Sequence, residues 1–281
     1  MFILLSAILI SAFAIYRAYI NTKDVTLKRI KVLSNDKGPQ TNLRILQISD
    51  MHLENISVTP EEIHEKLKNE KIDLIALTGD YLDRKKTLTK LPAYLEVFQK
   101  LDPTYGIYAV FGNHDYVLND KSFDKLEKIL NMYDCKTLRN EHEMITINGH
   151  TVNLIGIDDF GTGKSDLEKS YKGLPVSDYN LVLTHDPNIV LDLNQQHFDY
   201  LLSGHFHNGQ IHWPKPYHLA KMGKLARQKI VQGLHHMYEK PFYISEGLGQ
   251  TGINIRVGSR PEITIHEVGI TKAEASGNAA S

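Results

Sequence analysis

The chain is poor in cysteine and in net charge, and each shortage narrows what it can be. Its single cysteine, Cys135, excludes an internal disulfide, which fits a reducing compartment. With 32 Lys and Arg against 33 Asp and Glu, the net charge is -1. There is thus no overall basic field of the kind a nucleic-acid binder carries, and no acidic excess of the kind that keeps a chain disordered. There is also no internal repeat of fixed period. What is present is size and apolar content: 281 residues, 42% of them hydrophobic, enough for one large core or two small ones.

Charge is scarcest at the start. MFILLSAILISAFAIY has none, and AYI follows the interrupting Arg17. A spanning helix needs about 20 apolar residues, a length reached if Arg17 snorkels to the interface. A secretory signal would bring a positive n-region and a small-residue cleavage site, and neither is evident. Residues 1–20 are therefore expected as an uncleaved membrane anchor and 21–41 as a juxtamembrane linker. Arg17, Lys23, Lys28, Arg29 and Lys31 follow the apolar run, which places the remainder on the cytoplasmic side as a single-pass membrane protein. Residues 269–281 are small and polar and are expected as a flexible tail.

Between these ends a pattern recurs. LRILQISDMH, IDLIALTGD, YGIYAVFGNHD, YNLVLTHD and FDYLLSGHFH are short Ile-, Leu-, Val- and aromatic-rich runs that stop abruptly at polar residues. Each has the length and composition of a buried strand. Helices fall between several of them. Thr59-Pro60-Glu61-Glu62 combines a cap, a proline at the first position and a glutamate three after the cap, and KSFDKLEKILNMY has an apolar face of Phe123, Leu126, Ile129 and Leu130. Asn148-Gly149 between two strand-like runs predicts a hairpin. PFYISEGLG, INIRVG and EITIHEV read as further strands. Residues 211–240, with Trp213 and a basic stretch from Lys221 to Lys229, resist assignment. The expectation is one α/β domain over 42–268.

In open α/β sheets, ligands bind beyond the carboxyl ends of strands. Every polar cluster above sits at such an end, so neighbouring strands would gather Asp50, His52, Asp80, Asn113, His185, His205 and His207. Read alone, the pair in GHFH is as well explained by a solvated strand end. Together the seven are carboxylate, amide and imidazole ligands without a thiolate, a set suited to Zn, Mn or Fe. Seven are too many for one open site and suit two divalent ions sharing a carboxylate.

The blocks DMH (50–52), GD (79–80), GNHD (112–115), THD (184–186) and GHFH (204–207) resemble those of the calcineurin-like metallophosphoesterase superfamily, intact and in order, and in particular the membrane-associated bacterial YkuE-type phosphoesterases. The resemblance implies a layered β-sandwich flanked by helices, following the N-terminal membrane helix. It implies that Asp50, His52 and His207 hold one metal, that Asn113, His185 and His205 hold the other, and that Asp80 bridges them. It implies that His114 lies at the phosphate and protonates the leaving oxygen, with Asp115 orienting it. Arg256, after the glycine-rich SEGLGQTG turn, suits a phosphate or a structural pairing. Asp158, Asp159, His235 and His236 are read as turn and surface residues.

The implied reaction is binuclear, metal-dependent phosphoester hydrolysis by direct attack of a metal-bridging hydroxide, with no covalent intermediate. The anchor keeps the site near lipid. Some relatives of this type resemble enzymes that hydrolyse the pyrophosphate of a UDP-diacylated glucosamine, so the resemblance implies a phosphorylated small-molecule substrate or a lipid-linked phosphate or pyrophosphate. Two other readings stand beside it: a phosphodiesterase acting on a soluble nucleotide or nucleic acid, and a non-catalytic metal-binding scaffold. The balanced charge predicts no stable nucleic-acid partner, and nothing points to an obligate protein partner. Residues 211–240 are open to membrane contact, substrate binding or core packing.

Overall fold

The structure is a computed structural model that describes residues 2–32 and 40–272. Helix α1 (Phe2–Ile20) leads into a short 3-10 turn, and β1 (Thr26–Val32) and β2 (Gln40–Ile48) follow. Then come α2 (Pro60–Leu67), β3 (Leu74–Thr78), α3 (Leu91–Lys100), β4 (Ile107–Val110), α4 (Asp120–Met132) and β5 (Cys135–Thr137). The second half runs β6 (Glu141–Ile147), β7 (His150–Gly156), α5 (Leu167–Tyr171), β8 (Tyr179–Leu183), β9 (Tyr200–Ser203), α6 (Gly223–Arg227), β10 (Gly233–Met237), β11 (Lys240–Ile244) and β12 (Glu262–Thr271).

The strands form two six-stranded sheets, in the orders β1-β12-β2-β3-β4-β5 and β10-β11-β9-β8-β7-β6. Strands β2 to β5 are parallel, as are β7, β8, β9 and β11, while β12 runs antiparallel to β2. The period of two is visible within single strands. In β3, Leu74 and Ala76 face the other sheet, and Ile75 and Leu77 face α2, α3 and α4. Both faces are buried, which is why these strands read as unbroken apolar runs. The inter-sheet core sets Leu43, Ile45 and Val110 against Leu154, Leu181 and Leu202. A third cluster covers the far face of the second sheet with Ile189, Leu193, Phe198 and Leu225.

The helix signals fold as expected. Thr59 accepts from Glu62 N while Glu62 returns a bond to Thr59 N, a complete capping box. The Asn148-Gly149 turn joins β6 to β7, with Ile147 opposite His150.

Three expectations change. Residues 26–32 are not linker: β1 pairs in parallel with β12, and Lys28 bonds both Glu246 and Glu262 at 2.7 Å. Residues 269–271, expected as tail, complete β12, and residues 273–281 lie outside the described part. INIRVG is a loop held by one bridge, Ile211 to Val257, because Ala18, Asn21 and Gln210 take its backbone groups instead of a sheet neighbour.

Helix α1 is apolar on all sides, with a mean hydropathy of 2.0 over its most apolar stretch, and only Ala18 is buried. It is long and apolar enough to cross a membrane.

Candidate metal centre

The polar strand ends converge at one edge of the sandwich. Loops after β2, β3 and β4 supply Asp50, His52, Asp80, Asn113 and His114, and loops after β8 and β9 supply His185, His205 and His207. Two groups form. Asp50, His52 and His207 bring their ligand atoms within 4.8 Å of one another, and Asp80, His185 and His205 do the same.

Asp80 lies between the groups, its Oδ2 at 3.0 Å from His185 Nε2 and 3.5 Å from His52 Nε2. Asp50 Oδ1 likewise faces His207 Nε2 at 3.2 Å and His185 Nε2 at 3.9 Å. Imidazole nitrogens meet in pairs, His52 with His207 at 3.1 Å and His185 with His205 at 3.2 Å. Lone-pair atoms gathered this closely repel unless a proton or a cation lies between them. Their separations are those of adjacent ligands on an ion with bonds of about 2.1 Å. Asn113 Oδ1 is buried without a hydrogen-bond partner, and Asn113 shares with His205 the wall of a cavity of about 630 Å³. The donor set therefore fits divalent cations.

The backbone is strained here. Asp50, His52, Asp80, His205 and His207 all have φ between 38° and 75°, a left-handed region that non-glycine residues seldom adopt and that clusters at functional sites. Two glycines permit the close approach. Gly79 has φ +87°, and a Cβ there would meet Gly112 N at 2.6 Å. A Cβ at Gly112 would collide with the Asp80 carboxylate.

Outer partners fix the inner atoms. His185 Nδ1 bonds Thr78 O at 2.8 Å, which turns Nε2 inward. Asp50 accepts from Ser49 Oγ at 2.5 Å and from His205 N at 3.1 Å. Asp80 Oδ1 accepts from His114 N at 2.8 Å.

Burial opposes ionisation of Asp80, but His185 and His52 overcome it and hold the carboxyl well below its usual range. Asp50 is lowered in the same way by His207 and His185 against its burial. Burial pushes His52 down to about 3 and lowers His205 as well, so both keep lone pairs for a ligand. His185 differs: burial is outweighed by Asp80 and Asp50, which raise it well above 6.5. A cation arriving there displaces that proton.

Two expected roles are corrected. Asp115 does not orient His114. Its carboxylate is buried and accepts from the backbone N–H groups of Asp80, Tyr81, Leu82 and Gly112, so it ties the loop after β3 to the loop after β4. Its burial beside Asp80 pushes it up to about 8. Neighbours in sequence here point in different directions. Arg256 does not face the cleft. It is fully buried, and its guanidinium donates to the carbonyls of Glu246, Gly247, Gly249 and Arg260 at 2.7–3.0 Å.

The carboxylate that faces His114 is instead that of Asp83: His114 Nδ1 lies 3.7 Å from Asp83 Oδ2. Burial lowers His114, but the Asp83 and Asp80 carboxylates prevail and raise it to about 9. A second carboxylate three residues after the strand-end Asp80, in GDYLD, was the available signal. Asp159, read as a turn residue, is fully buried, accepts from Thr162 N at 2.7 Å, and adds its charge to that felt by His185.

Comparisons with known proteins agree with this geometry. The family model for calcineurin-like phosphoesterases matches residues 43–209. The chain is similar to YkoQ of Bacillus subtilis (strain 168), an uncharacterized metallophosphoesterase, with 57% identity over 95% of this chain and 99% of that one. It is 27% identical to YkuE of the same organism, another uncharacterized metallophosphoesterase, over 79% of this chain and 77% of the other. It is also 27% identical to LpxG of Chlamydia trachomatis serovar D, a UDP-2,3-diacylglucosamine pyrophosphatase, over 79% of this chain and 82% of that one.

Proposed function

The chain belongs to the calcineurin-like phosphoesterase family and is a metal-dependent phosphoesterase; on that premise we propose that it hydrolyses a lipid-linked phosphate or pyrophosphate at a two-cation centre. The observation that carries this reading is that Asp80 Oδ2, grouped with His185 and His205, also lies 3.5 Å from His52 Nε2 of the other group, beside a cavity whose wall includes Asn113 and His205. We assign Asp50, His52 and His207 to one cation, Asn113, His185 and His205 to the other, and Asp80 to both, the ions being Mn, Zn or Fe.

Divalent cations bound there supply an activated water and neutralise charge on the phosphoryl oxygens. The chain's own groups do the rest. Asp83 holds His114 at Nδ1 and keeps it protonated, leaving Nε2 to give a proton to the departing oxygen. The Asn113 amide orients the phosphoryl group. Asp115 locks the two loops that carry Asp80 and His114.

The lipid-linked substrate is supported by the cavity itself, whose lining joins apolar Phe160, Leu191 and Met222 to Lys221, Lys224 and the ligands Asn113 and His205. An amphiphile with a phosphorylated head matches that division. The similarity to LpxG points the same way. We further propose that α1 anchors the chain in the membrane, with the catalytic domain on the cytoplasmic face.

A substrate panel tests this. Metal-reconstituted full chain is assayed with a UDP-diacylglucosamine-type pyrophosphate in mixed micelles, with a cyclic nucleotide and with a simple monoester. The expected outcome is a kcat/KM at least ten times higher on the lipid-linked substrate. A preference for either soluble substrate would overturn the lipid assignment while leaving the phosphoesterase reading intact.

A further inference from the structure

No acidic residue stands between Asp199 and Glu239, while Lys215, Lys221, Lys224, Arg227 and Lys229 all do. The folded segment divides this charge between two cavities. Lys221 and Lys224 line the metal-side cavity. Lys215, Arg227 and Lys229 line a separate cavity of about 580 Å³, whose floor is apolar, with Leu219, Ala226 and Val231. The three cations are exposed, none takes part in an ion pair among the described residues, and no acidic residue lines the cavity. An apolar floor with a cationic rim is complementary to one kind of ligand, an acyl chain carrying an anionic head.

The position of this cavity says where such a ligand comes from. Ala18, in the last turn of α1, accepts from Arg256 N at 2.9 Å, and Asn21 Nδ2 donates to Arg256 O. Val257, the next residue, accepts from His212 N at 2.8 Å. Trp213 follows, at most about 17 Å from Ala18 by summing two residue steps and two strand spacings. Trp213 is 78% exposed and Ile253 66%, and with Lys215 they line a smaller cavity of about 280 Å³. Lys215 is common to both cavities. The series from the base of α1 is therefore Ile253 and Trp213, then Lys215, then the apolar floor rimmed by Arg227 and Lys229. Tryptophan and Lys or Arg beside a spanning helix are the residues that settle at a bilayer interface.

We propose that this surface docks on anionic phospholipid of the bilayer that holds α1, with an acyl chain in the 580 Å³ cavity and the headgroup phosphate on Lys215, Arg227 and Lys229. The proposal rests on reading α1 as a membrane anchor. It is independent of the metal centre: this cavity and the metal-side cavity share no lining residue.

Trp213 is the only tryptophan, so its emission reports the surface directly. The full chain is reconstituted in nanodiscs of phosphatidylcholine, with or without phosphatidylglycerol, using lipids brominated near the headgroup. Each Lys or Arg at an anionic surface shifts a binding equilibrium by about fivefold, so three shift it by about a hundredfold. Trp213 should be strongly quenched with phosphatidylglycerol and weakly without it. The Lys215→Gln/Arg227→Gln/Lys229→Gln variant, shown to be folded by an unchanged Tm, should lose the difference. Quenching that is equal in both lipids, unchanged in the triple variant, or absent would overturn the proposal. Alkaline carbonate extraction of native membranes separates the two readings. A chain that is retained but whose Trp213 is unquenched loses the docking alone, and a chain that is released loses the anchor and the docking with it.

Discussion

Replacing Arg256 with methionine separates a scaffold role from a substrate contact. The side chain is fully buried, and its four hydrogen bonds all go to backbone carbonyls. Three of the four acceptors share the two hydrogens of Nη2, so about three full bonds to a charged donor, about 1.5–3 kcal/mol each, contribute about 4.5–9 kcal/mol gross. The desolvation of a buried guanidinium, which lowers its pKa to about 10, offsets much of this. The net cost of removing one partner from such a network is about 3–5 kcal/mol. For a domain of this size, about 2–4 °C of Tm accompany each kcal/mol, so Arg256→Met should melt roughly 10 °C lower. The damage should also reach the metal centre. The turn that Arg256 holds is pressed against Asp50: Gly249 N donates to Asp50 O at 2.7 Å, Leu248 N donates to Ser49 O at 2.9 Å, and a Cβ at Gly247 would meet that of Asp50 at 2.7 Å. Loss of such outer support typically weakens metal binding by about 10–100-fold. Calorimetric unfolding with metal and with chelator, a metal titration, and kinetics on a soluble phosphodiester at saturating metal make the assay. The expected pattern is a lower Tm, weaker metal binding and an unchanged KM. A Tm matching that of the parent together with a KM raised about tenfold or more would refute the reasoning and return Arg256 to the substrate.

Asp80→Ala should leave less than one tightly held metal per chain by elemental analysis, with activity reduced by at least about a thousandfold, since both ligand groups lose a shared carboxylate; two retained metals would contradict the shared role. Asp83→Asn should slow turnover by about 10²–10⁴-fold on substrates with alkoxide leaving groups, the range for general acid catalysis, and far less on nitrophenyl esters; an equal loss on both would place Asp83 elsewhere in the mechanism. His266, bonded to Tyr200 and Gln47, is pushed down to about 3 by burial. A histidine depressed in the folded state contributes stability that is complete above about 6.5 and is lost as pH falls toward the folded value. Urea unfolding at pH 6.5 and 5 should therefore show about 2 kcal/mol more loss for the parent than for His266→Gln, and parallel pH profiles would exclude the assignment.

The legible part of the fold was the part buried on two faces. β3, β4, β8 and β9 are continuous apolar runs because each packs against the opposite sheet and an outer layer, and their ends are abrupt because polar ligands begin where burial of apolar groups stops. β1, by contrast, is TLKRIKV, with most positions exposed or half-buried. An edge strand of that composition looks like a polar tether until β12 is known to lie beside it. The convergence of these polar residues was readable because five strand ends repeat the pattern. Their orientation was not, since Asp115 and His114 are adjacent yet meet different groups of the loop after β3, backbone amides for Asp115 and the Asp83 carboxylate for His114. Arg256 misled for the same reason: a glycine-rich turn shows that the backbone bends there, but not which side of the bend an arginine will fill.

The place of β12 between β1 and β2 has a consequence for biogenesis. During synthesis, β1 and β2 emerge early with no partner between them, and the gap is filled only by residues 262–271, more than two hundred residues later. Until then the first sheet has open edges beside a helix suited to insertion, and such edges are templates for mispairing. Closing so long a loop is slow. The domain therefore completes itself only after β12 leaves the ribosome, and a stalled or truncated chain lacking residues 262–271 would be left with an unfinished sheet whose open edges invite mispairing and proteolysis.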